Sequence, residues 1–248
     1  MTTFHINLIF SERKWESMEA FVESLLEELN CETVFTIPIF GGIPISEAIV
    51  VTWIIMGVMT LLAIIFVRNL KVENPGKKQI VLETAIGGMY HFFEDSMGSH
   101  GKRYIPYMIT VGLYIGVANL IGLFGFKPPT KDMNVTIALA FMSILLIEIA
   151  GVKQKGFKGW MKSFAQPVPI ILPINILEIF IRPLSLCMRL FGNVLGAFVV
   201  MELIKLLIPV FIPVVFSLYF DIFDGLIQAY VFVFLTSLFI GEAIEESL

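Results

Sequence analysis

Residues 177–197 read LEIFIRPLSLCMRLFGNVLGA, an apolar run that approaches a bilayer crossing in length yet carries Arg182, Arg189 and Asn193. Hydrocarbon offers no partner for backbone N–H and C=O groups, so about 20 apolar residues cross it only as a helix or as part of a closed barrel. An arginine at a helix centre costs roughly 2.5–3.5 kcal/mol on insertion scales, and marks a functional site by default. The rest of the chain repeats the apolar pattern. Apolar residues make up 57% and charged residues 15% of the 248, and mean hydropathy is +0.86. This is the composition of a polytopic membrane protein built of helices.

Five stretches are long enough to cross: about 47–67, 104–126, 134–152, 174–208 and 211–242. The last two, separated by a proline-flanked hinge at 209–213, exceed a hydrocarbon core of about 30 Å when fully helical, so they tilt, bend or project. Residues 79–98 mix apolar and acidic positions and suit a helix lying along the interface. His91 and His100 flank Glu94 and Asp95 there, but without further ligands this reads as a helix end at the headgroups rather than a metal centre. Residues 46–248 thus form one membrane domain. Residues 1–45 precede it, with an acidic amphipathic helix over 14–30 and a Pro/Gly loop over 37–45. The N-terminus lacks a basic start and a small-residue cleavage site, so it does not read as a signal peptide.

A net charge of −4 without a basic block excludes nucleic-acid binding. Cys31 and Cys187 supply neither a disulfide framework nor a zinc site. No nucleotide-binding loop or metal-ligand helix is visible, so no cofactor and no bond-making chemistry is expected in this chain. Lysines and arginines concentrate between the first two spans and after the third. The positive-inside rule then places the N-terminus outside and the C-terminus inside after five crossings.

On a helix drawn at 100° per residue, Arg182 lies about 20° from Arg189, with Ser185 and Asn193 about 40° to either side. Gly192 and Gly196 flatten the neighbouring surface. In the last span Asp221, Asp224 and Gln228 share a face. Folding the two helices as an antiparallel hairpin brings Gln228 level with Arg189, and sets Asp221 and Asp224 at the depth of Glu202 and Lys205. Carboxylates at such depth need water or partners. The alternative is that these groups satisfy one another as structural glue. Glu148, near the end of the third span, reads as a snorkelling carboxylate or a partner for Lys153.

The string RPLSLCMRLFGN, preceded by LPINILEIF and followed on the next helix by LIQAYVF, resembles the a subunits of F-type ATP synthases, as does NLIGLFG at the end of the second span. The resemblance runs from about residue 47 to the C-terminus. It implies one N-terminal span, a membrane-parallel helix, two further spans, and a long tilted hairpin against a rotating ring of c subunits. Arg189 takes the place of the family's essential arginine, Asn193 that of the asparagine a turn later, and Gln228 that of the glutamine facing the arginine. Asp221 stands where relatives carry histidine or glutamate. Phe198 departs from the pattern, where many bacterial relatives have a glutamate; Glu202, one turn on, is the substitute.

The implied partners are the c ring, the b subunits, the F1 sector indirectly and the lipid bilayer, in a bacterial plasma membrane. The implied mechanism carries H+ or Na+ along two offset aqueous half-channels, the outer lined by Glu202, Asp221 and Asp224, with Arg189 dividing them. A secondary transporter would show paired repeats and broken helices, which this chain lacks. A non-conducting scaffold would have no need of Arg189 with aligned aspartates.

Overall fold

The computed structural model describes residues 22–23, 33–38, 43–68, 70–124, 126–164, 169–207, 216 and 218–245. The hinge 209–213 and all of the 14–30 helix except Val22 and Glu23 lie outside them. The expected loop over 37–45 is instead bracketed by a β-hairpin: β1 (Thr33–Ile37) pairs antiparallel with β2 (Ile43–Ser46). The β-branched residues Thr33, Val34, Thr36 and Ile37 suit such a pleat, and the Pro/Gly punctuation had masked so short a strand.

α1 (Glu47–Val67) starts where β2 ends and is anchored at that end alone. Ser46 Oγ donates to Asp132 Oδ2 at 3.0 Å, Lys127 pairs with Glu47 at 3.5 Å, and Thr52 meets the Tyr114 hydroxyl at 3.0 Å. Beyond Ile55 the helix presents Leu61, Leu62, Ile64, Ile65 and Phe66 outward, a face suited to hydrocarbon.

α2 (Lys77–Met97) is a helix where one is expected over 79–98, and Gly98 at φ +71° ends it in a conformation that glycine adopts freely. Its C-terminal end packs into the bundle. Phe93 and Met97 are buried, and the Phe92 ring lies 5.6 Å from Tyr230 and 5.9 Å from Phe234. Glu94 pairs with Lys102 at 2.6 Å across the turn that follows.

α3 (Ile105–Leu120) has tight turns at both ends, Ser99–Tyr104 and Ile121–Phe124. α4 (Met133–Ser163) begins on an N-cap, with Asp132 Oδ1 accepting from the Asn134 N–H at 2.9 Å. It runs well past the expected end at 152. Its apolar periodicity stops there but its helix does not, continuing through lysines to a break at Gly156 with φ +70°. The segment beyond the break folds back, so Trp160 Nε1 donates to Glu148 Oε2 at 2.8 Å. Glu148 is therefore held by an indole rather than snorkelling or pairing with Lys153; the glycine-permitted bend brings a donor 12 residues away within reach.

α5 (Leu172–Leu207) is 36 residues, about 54 Å at 1.5 Å per residue, with Pro183 inside it. The last span opens with a wide π-type turn over Tyr219–Asp224 and continues as α6 (Gly225–Ile244). α6 is the hub of the bundle. It packs chiefly on α3 and α4, with α2 against its aromatic side, and touches α5 much less than α4 does. Among the described residues, five helical stretches are long and apolar enough to cross a membrane, which makes the fold all-α and polytopic apart from the small hairpin.

Candidate functional site

The fully buried side chains of α5 form one stripe. Leu186, Cys187 and Leu190 are buried, and Thr136 of α4 lies 3.5 Å from Cys187 Sγ. The opposite side is open. Ser185, Met188, Arg189, Gly192 and Gly196 are all exposed, so the stripe read from sequence is present as a surface and not as an internal cluster. Arg189 makes no hydrogen bond or ion pair among the described residues. A guanidinium within a bilayer-spanning segment and without a partner among the described residues calls for one from elsewhere.

The other residues divide by where their helix faces point. Asn193 and Asp224 are half-buried, whereas Gln228 is 8% exposed and turned into the bundle. No hydrogen bond joins Gln228 to Arg189 among the described residues. The side chains of Glu202 and Asp221 lie outside the described residues. The backbone of Asp221 belongs to the wide turn, a deformation frequent where helices serve function. That turn is pinned from α3. Asn119 Nδ2 donates to the Gly225 carbonyl at 2.8 Å, and Asn119 Oδ1 accepts from Thr130 Oγ1 at 2.8 Å, all within the core. Asn119 was visible in the sequence as the one strongly polar residue of its span; its partners were not.

Arg182 departs from the stripe it shares on an ideal wheel. Its guanidinium reaches Glu178 Oε2 at 2.7 Å and Glu242 Oε1 of α6 at 3.0 Å, and lies 4.9 Å from the Phe239 ring. The i,i+4 pairing with Glu178 was legible from spacing. Glu242 was not, because it needed the register of two distant helices. Beside this group opens a cavity of about 260 Å³, lined by Glu148, Lys155, Trp160, Asn175, Arg182 and Glu242. Three carboxylates and two cations line or border it in all, counting Glu178, which suits water rather than lipid.

Near the other end of α5, Lys131 sits 4.2 Å above the Phe198 ring. The aromatic face takes a cation at the position where the resemblance had led one to look for a carboxylate.

Comparison with known proteins was informative over most of the chain. The family model described as ATP synthase A chain matches residues 49–241. An ATP synthase subunit a of Moorella thermoacetica is 38% identical over 207 residues, covering 83% of this chain and 94% of that protein. ATP synthase subunit a 3 of Pelobacter propionicus is 36% identical, covering 82% and 89%. ATP synthase subunit a of Legionella pneumophila is 31% identical, covering 83% and 89%.

Proposed function

The chain belongs to the ATP synthase A chain family, and on that premise we propose that it is the ion-translocating stator of the membrane sector, coupling H+ or Na+ flow to rotation of a c ring. As a multi-pass subunit a it is a membrane component of the complex and not a catalytic subunit. The observation that carries the coupling role is Arg189, exposed on a spanning helix and unpartnered among the described residues. A carboxylate on a neighbouring ring is the partner that would make such a charge tolerable.

In this reading an ion enters from outside past Glu202, Asp221 and Asp224 and neutralises a ring carboxylate. It leaves to the inside after nearly a full turn. Arg189 attracts each ionised carboxylate as it arrives and repels a cation that would otherwise leak across. Ser185 and Asn193 flank the guanidinium on the same helix. The exposed glycines Gly192 and Gly196 leave that surface flat enough for another helix to pass closely. The membrane potential contributes about 2.3 kcal/mol per charge per 100 mV. The b subunits and, through them, the F1 sector complete the partner set, in a bacterial plasma membrane with the N-terminus outside and the C-terminus inside. The water-suited cavity near Glu242 lies on the lysine-rich side of the bundle, which supports release there.

The decisive experiment substitutes Arg189→Ala and measures ATP synthesis in membranes where the complex, c ring included, still assembles. Coupled synthesis is expected to vanish. Synthesis at the unsubstituted rate would remove the arginine from the mechanism.

A further inference from the structure

The helix that carries Arg189 is the least anchored of the later spans. Only 17% of its apolar window is buried, against 44% for α4 and 39% for the span containing α6. Its fully buried side chains, Leu186, Cys187 and Leu190, form one stripe against α4, with Asn175 bonded to the Phe164 carbonyl at 2.9 Å and the Phe198 ring under Lys131 at 4.2 Å nearer its two ends. A helix seated on one neighbour through one stripe is free to roll about its own axis. Contacts at other azimuths resist this, and among those of α5 one is ionic. Arg182 reaches across to Glu242 of α6 at 3.0 Å and lies against Phe239, while Glu178, one turn back on α5, holds the same guanidinium at 2.7 Å.

At 100° per residue Arg182 lies about 85° around the helix from the mean direction of the buried stripe, close to the best leverage against rolling. It also lies within about 20° of Arg189, so whatever turns one turns the other. At a side-chain radius of about 5–6 Å, a roll of 30° carries the Arg189 side chain through about 3 Å. Displacement of a reacting group by 1 Å is enough to cost about a hundredfold in rate.

We propose that the Glu178–Arg182–Glu242 cluster is a roll lock: Arg182 and Glu242 are positioning residues that fix the azimuth of α5 and thereby the presentation of Arg189 to the ring. This rests on the stator reading for its consequence, but the lock itself is a property of α5 and α6 alone. Its strength comes from context. An exposed pair of this kind contributes little in water, but here one guanidinium is shared by two carboxylates and an aromatic face, at the edge of a low-dielectric medium.

The chain supplies its own reporter. It has two cysteines, so Cys31→Ser leaves Cys187 as its sole thiol, buried on the stripe that a roll would expose. In the assembled complex, in inside-out vesicles, the rate at which a small maleimide modifies Cys187 is measured beside ATP-driven ion pumping. Arg182→Gln and Glu242→Gln are expected to raise the modification rate several-fold and to lower pumping about tenfold. Arg182→Lys and Glu242→Asp, which keep the charges, stay near the parent on both readouts. The thiol introduced by Ile240→Cys in α6 stays protected throughout, which separates rolling of α5 from general loosening. If Arg182→Gln fails to assemble, Glu242→Gln carries the test alone, because Arg182 then keeps Glu178. An unchanged Cys187 rate in the Gln variants overturns the lock. A raised rate with parental pumping overturns its link to Arg189. Retained synthesis in Arg189→Ala would instead sink the stator reading and leave the labelling result standing.

Discussion

The carbonyl of Gly225, at the seam where the wide turn Tyr219–Asp224 tightens into α6, is held at 2.8 Å by the side-chain amide of Asn119 on α3. Gly225 is the first residue of α6, and its carbonyl has a second lone pair left for a donor from another helix. Asn119 supplies it, and Thr130 fixes which way the amide points. Asn119→Leu should therefore destabilise the α3–α6 contact by about 1–3 kcal/mol, the cost of a buried polar group left unpaired. Thr130→Val leaves Asn119 its Gly225 bond and should cost about 1 kcal/mol. Thermal release of the subunit from the detergent-solubilised complex measures both. Equal midpoints for Asn119→Leu and the parent would show that the network does not hold the turn.

The same turn bears on ion flow through its two aspartates. Asp221 lies seven residues before Gln228 and Asp224 four, both within the wide turn, with Asp221 nearer the outer end in the proposed orientation. Asp224 is half-buried, next to the pinned Gly225. On the outer-path reading, Asp221→Asn should slow passive ion conductance of F1-stripped vesicles more than Asp224→Asn. Parental conductance in both variants would remove the aspartates from the path.

The indole of Trp160 bonded to Glu148 closes the bend that Gly156 opens. Beyond the bend, Lys158 and Lys162 are exposed, as is Lys153 before it. Trp160→Phe keeps the ring's packing against Gly151 and loses only the N–H donor, so the fold should survive while the folded-back segment opens more often. Limited trypsin cleavage at these lysines, from the inner face in the proposed orientation, should accelerate several-fold, with ATP-driven pumping near the parental level. Unchanged cleavage would mean that packing alone closes the bend.

What could be seen in the sequence follows from the range over which each signal acts. Five spans were legible because bilayer thickness sets their length and lipid sets their composition. The position of Arg189 was legible because a charge in such a run is costly anywhere in a membrane. Its facing was not: the wheel placed Arg182 and Arg189 within about 20° of each other, yet the structure turns the first onto α6 and leaves the second open. Glu242 made that difference, from 60 residues away. The extension of α4 beyond 152 escaped notice because hydropathy marks where the membrane ends and not where a helix does. The strands of the hairpin were too short for periodicity to register. The central place of α6 lay beyond the sequence altogether, since its packing on α3 and α4 depends on how helices assemble.

Close approach of α3 and α6 also makes two glycines unequal in a way that a single experiment can read. A Cβ built on Gly225 would stand 3.0 Å from the Asn119 Cβ, closer than nearly all real contacts of that kind, and 3.8 Å from the Asn119 backbone carbon. At Gly116, one helical stretch along the same interface, a Cβ would stand 3.9 Å from the Cβ of Ala229, an ordinary contact. Both positions are helical, so backbone strain does not enter, and alanine gains up to about 1 kcal/mol over glycine in propensity at each. Gly116→Ala should thus be neutral or slightly stabilising. Gly225→Ala must push the helices apart or drive the Asn119 amide from its carbonyl, and should cost about 1–3 kcal/mol on the overpacking scale. Thermal release midpoints of the two variants should therefore move in opposite directions from the parent, or one should fall while the other holds. If both fall together, the α3–α6 seam has no slack anywhere and the special tightness assigned to Gly225 is wrong.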